Sequence, residues 1–218
     1  MLSVKNEFKH SQKLTIWIRY VLYAQIVTAV LAIIFGTVEY QLLSAFQDGL
    51  YTSLEQAFAA GETAINILQG VGILSLIVFI GSALLIVQWI YRANYNVRQL
   101  GAENMTYTPA WSIAYFFIPV FNLWKPYQAM KELWQASANP QDCSSNKVSI
   151  VVPIWWALWL TSNMLGQSIF RLSAETQTLP ELLNLNMLSQ VSNVLDIPLA
   201  IVTLLLLNSI ESMQNRCK

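Results

Sequence analysis

Four stretches of this chain are longer and more apolar than an ordinary soluble core helix needs to be. They cover about residues 14–35, 64–90, 150–169 and 191–210. A helix rises about 1.5 Å per residue, so some 20 apolar residues cross a hydrocarbon layer of about 30 Å. Composition agrees: 55% of the 218 residues are hydrophobic and 11% are charged, where a soluble domain carries about a quarter charged residues. The expected fold class is an all-α integral membrane protein, one membrane domain over residues 1–218 with four transmembrane helices. A basic segment with Lys5, Lys9, His10 and Lys13 precedes the first run. Signal peptides share that pattern, but this run is too long for one and no small-residue cleavage site follows. It reads as a retained span.

Several function classes drop out early. Twelve basic and twelve acidic residues cancel, so nothing points to nucleic acid. His10 is the sole histidine, and Cys143 and Cys217 have no CxxC spacing, so no metal, redox centre or other cofactor is expected. There is no HExxH, P-loop or GxSxG motif. The remaining catalytic option is a carboxylate, Glu132 or Asp196. An enzyme would need titratable groups converging near Arg92, Asn122 and Glu132.

Charge sets the expected orientation. With four spans and both termini cytoplasmic, Lys5, Lys9, Lys13, Arg92, Arg98, Lys125, Lys131, Lys147, Arg216 and Lys218 share the cytoplasmic side, and Arg19 snorkels toward it. Only Arg171 falls outside, a strong positive-inside bias. The expected location is a cell inner (plasma) membrane. The 36–61 connection lacks basic residues and reads as short amphipathic helices on the membrane surface. Asp48-Gly49 breaks its pattern, and Ser53 to Gln56 has capping-box spacing. Trp155 and Trp156 fall where an aromatic belt is expected. Asn163 and Gln167 lie one turn apart and read as interhelical glue. Arg171 and Asp196 fall at similar depth and are the candidate intramembrane ion pair.

The central segment, about residues 109–137, is neither a span nor a plain loop. Its apolar part is only about 14 residues, short for a crossing, and a crossing would turn Lys125, Lys131 and Lys147 outward. It is expected to form a cytoplasmic interfacial or re-entrant helical hairpin. Thr108-Pro109 supplies an N-cap and a first-turn proline for a helix to about Ile118. Pro119 breaks it, and Asn122 is placed to satisfy the freed backbone groups. Pro126 starts a second helix with Tyr127, Met130, Leu133 and Trp134 on its apolar face.

One composite pattern runs through this region. It comprises Trp89, Arg92, Ala93, Asn96, Arg98, Leu100 and Gly101. Pro109 and Trp111 come next, followed by Phe117, Pro119, Asn122, Leu123, Trp124, Pro126 and Tyr127. Glu132, Leu133, Trp134, Ala136 and Ser137 complete it. The pattern resembles the bacterial membrane proteins grouped as domain of unknown function 4328. The resemblance covers about 50 residues closely and implies a multi-span bacterial membrane protein. It carries no catalytic residue with it.

Arg92, Asn96 and Arg98 are the candidate contacts for anionic lipid headgroups or another anion. Helix-end anchoring is the plainer reading, since basic residues gather there in most membrane proteins. Trp89, Trp111, Pro119, Asn122, Trp124, Pro126, Tyr127, Glu132 and Trp134 form a candidate structural motif or groove. Belt anchoring is the plainer reading for the tryptophans. The expected function is a non-catalytic interaction, scaffold or sensing module whose partners are the lipid bilayer and a second copy or another membrane protein. The alternative is an oligomeric transporter or channel for a lipid or small molecule.

Overall fold

The computed structural model describes residues 12–102, 105–141 and 147–217. Lys5, Lys9, His10, Cys143 and Lys218 lie outside them. Every element among the described residues is helical. The order is α1 (Gln12–Gln47), α2 (Leu54–Ala60), α3 (Glu62–Gln99), α4 (Pro109–Ala114), a single 3₁₀ turn (Phe121–Leu123), α5 (Lys125–Ala138), α6 (Val151–Glu175) and α7 (Leu179–Arg216).

Local chemistry explains where these helices begin and end. Gly36 does not stop α1, because Leu42, Leu43 and Phe46 continue its apolar spacing to Gln47. The expected surface helices over 36–47 are therefore an extension of α1. It ends at Gly49, at φ +81°, where Gly49 N–H donates to Phe46 O and Leu50 N–H to Ala45 O. That is a Schellman closure, in which glycine takes the left-handed position. Ser53 caps α2 by accepting from Gln56 N–H, and Gln56 Oε1 accepts in return from the Thr52 amide. Gly101, at φ +96°, closes α3 with the same two-bond pattern, Gly101 to Arg98 and Ala102 to Val97. Glu181 opens α7 by accepting from the Gln177 and Thr178 amides. Gly101→Ala should cost about 1–2 kcal/mol, the left-handed penalty for a residue with a Cβ. Thermal unfolding in detergent micelles measures it.

Three helices among the described residues, α1, α3 and α7, are long and apolar enough to cross a membrane. The expectation was four. At 25 residues α6 has the length, but three tryptophans, Asn163, Gln167 and several hydroxyls dilute its apolar run. The three apolar helices are mostly uncovered: only 11% of the most apolar stretch of α3 is buried, and Ile73, Leu76, Ile77, Phe79 and Ile80 are all exposed. A continuous apolar surface of that size needs a nonaqueous neighbour.

The chain divides into two compact units. Unit 1 holds residues 1–21, 81–157 and 201–218; unit 2 holds 22–80 and 158–200. Unit 1 has a well-filled core around Trp89, Val97, Leu133, Val152, Leu206 and Ile210, each at most 1% exposed. Trp155 and Trp156 stack at 5.8 Å inside it and are both buried, so they are core residues and not belt anchors. Arg19 is held within this unit: its Nε and Nη2 donate to Asn208 Oδ1 at 3.1 and 2.6 Å. Unit 2 buries smaller side chains, among them Ala29, Ala32, Ala57 and Ala200.

Candidate functional site

The central segment folds into unit 1 around a short strap, residues 105–108, held between the end of α3 and the face of α5. Helix α5 buries Pro126, Ala129, Met130, Leu133, Ala136 and Ser137, a stripe of helical period. The apolar face expected to meet lipid is thus largely covered by protein, with Tyr127 and Trp134 half-buried at its margins. Helix α4 is capped as expected, Thr108 Oγ1 accepting from the Trp111 amide at 3.3 Å. It stops at Ala114, short of the expected Ile118.

Two charged side chains secure the strap. Glu132 reaches back from α5 and accepts from the Thr106 amide at 2.6 Å and the Tyr107 amide at 3.0 Å, one on each oxygen. Arg98 reaches forward from α3. Its Nη2 donates to the Met105 and Tyr107 carbonyls at 3.2 and 2.9 Å, and its Nε to Asn94 Oδ1 at 3.2 Å. The Asn94 amide donates to Tyr107 O and to Ser112 Oγ, both at 3.1 Å. The Tyr107 hydroxyl donates to Gln128 Oε1 at 2.6 Å, and the Lys125 ammonium sits 5.7 Å above the Tyr107 ring. From α7, Gln214 Nε2 donates to Ala93 O at 2.9 Å and to Ser137 Oγ at 3.0 Å. Strap, α3, α4, α5 and α7 are thereby joined through polar groups, most of them buried or half-buried, that satisfy one another, the condition for such a network to rigidify a fold.

The proposed headgroup trio separates in this arrangement. Asn96 is 1% exposed, Arg98 is turned inward onto the strap, and Arg92 alone is half-exposed without a hydrogen bond among the described residues. The proposed groove residues separate too. Trp89 lies in the core and Pro126 is buried, whereas Trp111 and Trp124 join an exposed aromatic chain. In that chain Tyr115 contacts Trp111, Tyr107 and Phe121 with centroids 5.2, 5.8 and 6.1 Å apart, and Phe121 contacts Trp124 at 5.8 Å. Beside it Phe117, Val120 and Leu123 are exposed, as is Pro119. Val120 has φ +71° and ψ −57°, a turn conformation that strains a β-branched residue. Asn122 does not serve as the expected backbone partner; its buried Oδ1 accepts no hydrogen bond among the described residues.

The candidate ion pair is also replaced. Asp196 Oδ1 accepts from Ser162 Oγ at 2.6 Å, and no ion pair joins it to Arg171 among the described residues. Arg171 lies nine residues beyond Ser162 on α6, about 13 Å along the axis, and is exposed. Similar depth along two helices does not make two side chains neighbours. Asn163 Nδ2 turns back to its own helix, donating to Trp159 O at 2.7 Å. The sequence reading did not single out Asn94, Tyr107, Gln128 or Gln214. The available signal was the unusual polarity of the α3 end, where Asn94 lies between Arg92 and Asn96.

Long apolar helices with little protein cover define the class: this is a helical membrane protein. The chain belongs to the family of the domain of unknown function DUF4328, whose model matches residues 53–212 and so takes in the whole strap and both its clamps. No curated protein and no solved structure matches the chain.

Proposed function

We propose that this is a four-span protein of a bacterial inner membrane in which unit 1 is a preassembled, non-catalytic interaction or sensing module on the cytoplasmic side. The observation that carries this reading is the aromatic face of unit 1. Trp111, Phe117, Phe121 and Trp124 are 51%, 72%, 42% and 39% exposed, and Tyr115 of the same aromatic chain contacts Tyr107 of the strap that Glu132 and Arg98 hold. A rigid exposed aromatic surface suits the headgroup layer, where rings with one wet and one apolar side are favoured. Charge supports the orientation: unit 1 contains eleven of the twelve lysines and arginines. Arg92 of α3 and Lys125 and Lys131 of α5 are the basic groups of unit 1 offered to anionic headgroups. The non-catalytic reading is supported by Glu132, whose two oxygens are both occupied by backbone amides. α6 is counted as the fourth span because it has the length and because four crossings return both termini to the basic side.

Single cysteines at Asp48, Phe117 and Gln141, in a background without Cys143 and Cys217, test this reading. A membrane-impermeant maleimide added outside intact cells should label position 48 and spare 141. A spin label at 117 should be protected from an aqueous nickel chelate and open to oxygen. Labelling of 141 from outside, or a label at 117 as wet as one at 48, would refute the arrangement.

A second reading, an oligomeric transporter, draws on the polar positions of α7 within unit 2. Asn186, Ser189, Gln190, Asn193 and Asp196 follow helical spacing on one face, and polar groups on a span often line a path.

A further inference from the structure

We propose that the unit 2 part of α6 pairs with a second copy of this chain inside the membrane, a reading that rests on α6 being the fourth span. Thr161, Met164, Ser168, Arg171 and Glu175 are all exposed. Their spacing alternates between three and four residues, the 3.5-residue repeat of a seam between two helices. Gln167 is exposed at the margin of that seam. Ser162, which donates to Asp196 of α7, and Leu165 and Ile169 are half-buried. The seam is therefore the side of α6 turned away from the rest of the unit.

Two bare faces of unit 2 differ in chemistry. The face of α3 shows Ile73, Leu76, Ile77, Phe79 and Ile80, large apolar side chains suited to acyl chains. The face of α6 is built from small and polar side chains, the composition of helix contacts within a membrane. Ser168 can meet lipid, because its Oγ donates to Met164 O at 2.9 Å in its own helix. Gln167 is different. It lies eight residues before the end of a 25-residue helix, and about 20 residues cross the hydrocarbon, so its amide is at hydrocarbon depth. That amide has no hydrogen bond among the described residues, and lipid tails supply none.

The seam is complementary to itself. A primary amide both donates and accepts. Copies insert with one orientation, so a two-fold axis along the membrane normal brings the same residue of each copy to the same depth. Gln167 can then bond its own counterpart. At the outer end Arg171 and Glu175 lie one turn apart, and neither has an ion pair or hydrogen bond among the described residues. Across the axis each lies beside the opposite charge of the other copy, so the pairing forms twice.

The test uses the full-length protein without Cys143 and Cys217, in native membranes. Met164→Cys and Ser168→Cys, each alone, should give a disulfide-linked product of twice the chain mass with copper phenanthroline. Phe170→Cys should give far less, although Phe170 is 77% exposed against 68% for Met164, because it lies about 120° round the helix. In liposomes, energy transfer between donor- and acceptor-labelled copies should show association weakened about tenfold by Gln167→Leu. Arg171→Glu and Glu175→Arg should each weaken it and together restore it. Gln177→Cys reports the span, since an impermeant maleimide should reach it from outside the cell. Labelling at 177 with no link at 164 or 168 would overturn the pairing alone. Labelling at 177 only in opened cells would overturn the fourth span and the pairing with it. Linking at 170 as strong as at 164 would mean random collision, and an adduct of another mass would mean a different partner. Either result, or full association in Gln167→Leu, overturns the proposal.

Discussion

Glu132→Ala should release the strap and destabilise the protein by about 2–4 kcal/mol. Hydrogen bonds to a charged group contribute about 1.5–3 kcal/mol each, and Glu132 makes two, to the Thr106 and Tyr107 amides. The total falls below their sum because Thr106 is exposed and water can replace its partner. Glu132→Gln keeps one amide oxygen as an acceptor and should lose about half as much. Hydrogen exchange provides the local reading. The Thr106 and Tyr107 amides should both lose protection in Glu132→Ala, and one of the two in Glu132→Gln, while the α3 interior keeps it. Unchanged exchange at those two amides would refute the latch.

The second large effect belongs to Arg98. Arg98→Ala removes donors to two strap carbonyls and to Asn94, together with a half-buried aliphatic stem, for an expected cost of about 2–5 kcal/mol. Arg98→Lys keeps the charge but has no planar fork, so it should recover only part of this. Tyr107 links the two clamps, its N–H held by Glu132 and its carbonyl by Arg98. The Arg98→Ala, Glu132→Ala double variant should therefore cost less than the sum, with a coupling of about 0.5–3 kcal/mol. Chemical denaturation in mixed micelles would measure the cycle, and strict additivity would mean that the two side chains do not share the strap.

Much of the fold was legible because the chemistry involved is local. Gly49, Ser53, Gly101 and the Thr108-Pro109 pair each act within five residues of their own position, and each terminates or caps a helix where the sequence indicates. The apolar stripe of α5 was legible as a stripe. What covers it was not, because periodicity marks a face that avoids water without distinguishing lipid from protein. Trp155 and Trp156 misled for the same reason. The latch itself lay out of reach, since Glu132 meets amides 25 and 26 residues earlier. Nothing in local pattern separates a carboxylate that will cradle two amides from one that will face solvent. The α6 crossing was harder to read, because its tryptophans and amides suit a helix packed on one side and weaken its average apolarity.

The Gln214 side chain has a consequence in time. It ties Ser137 of α5 to Ala93 of α3, and it leaves the ribosome 77 residues after Ser137. At about 5–20 residues per second, that interval is roughly 4–15 s. For those seconds α5 and its apolar stripe exist without the tie to α3 that α7 contributes. The completed unit is gathered from three separate parts of the chain and can close only when the third has emerged. Until then the stripe is a surface for whatever escorts nascent membrane proteins, and a stalled or shortened product would display it permanently.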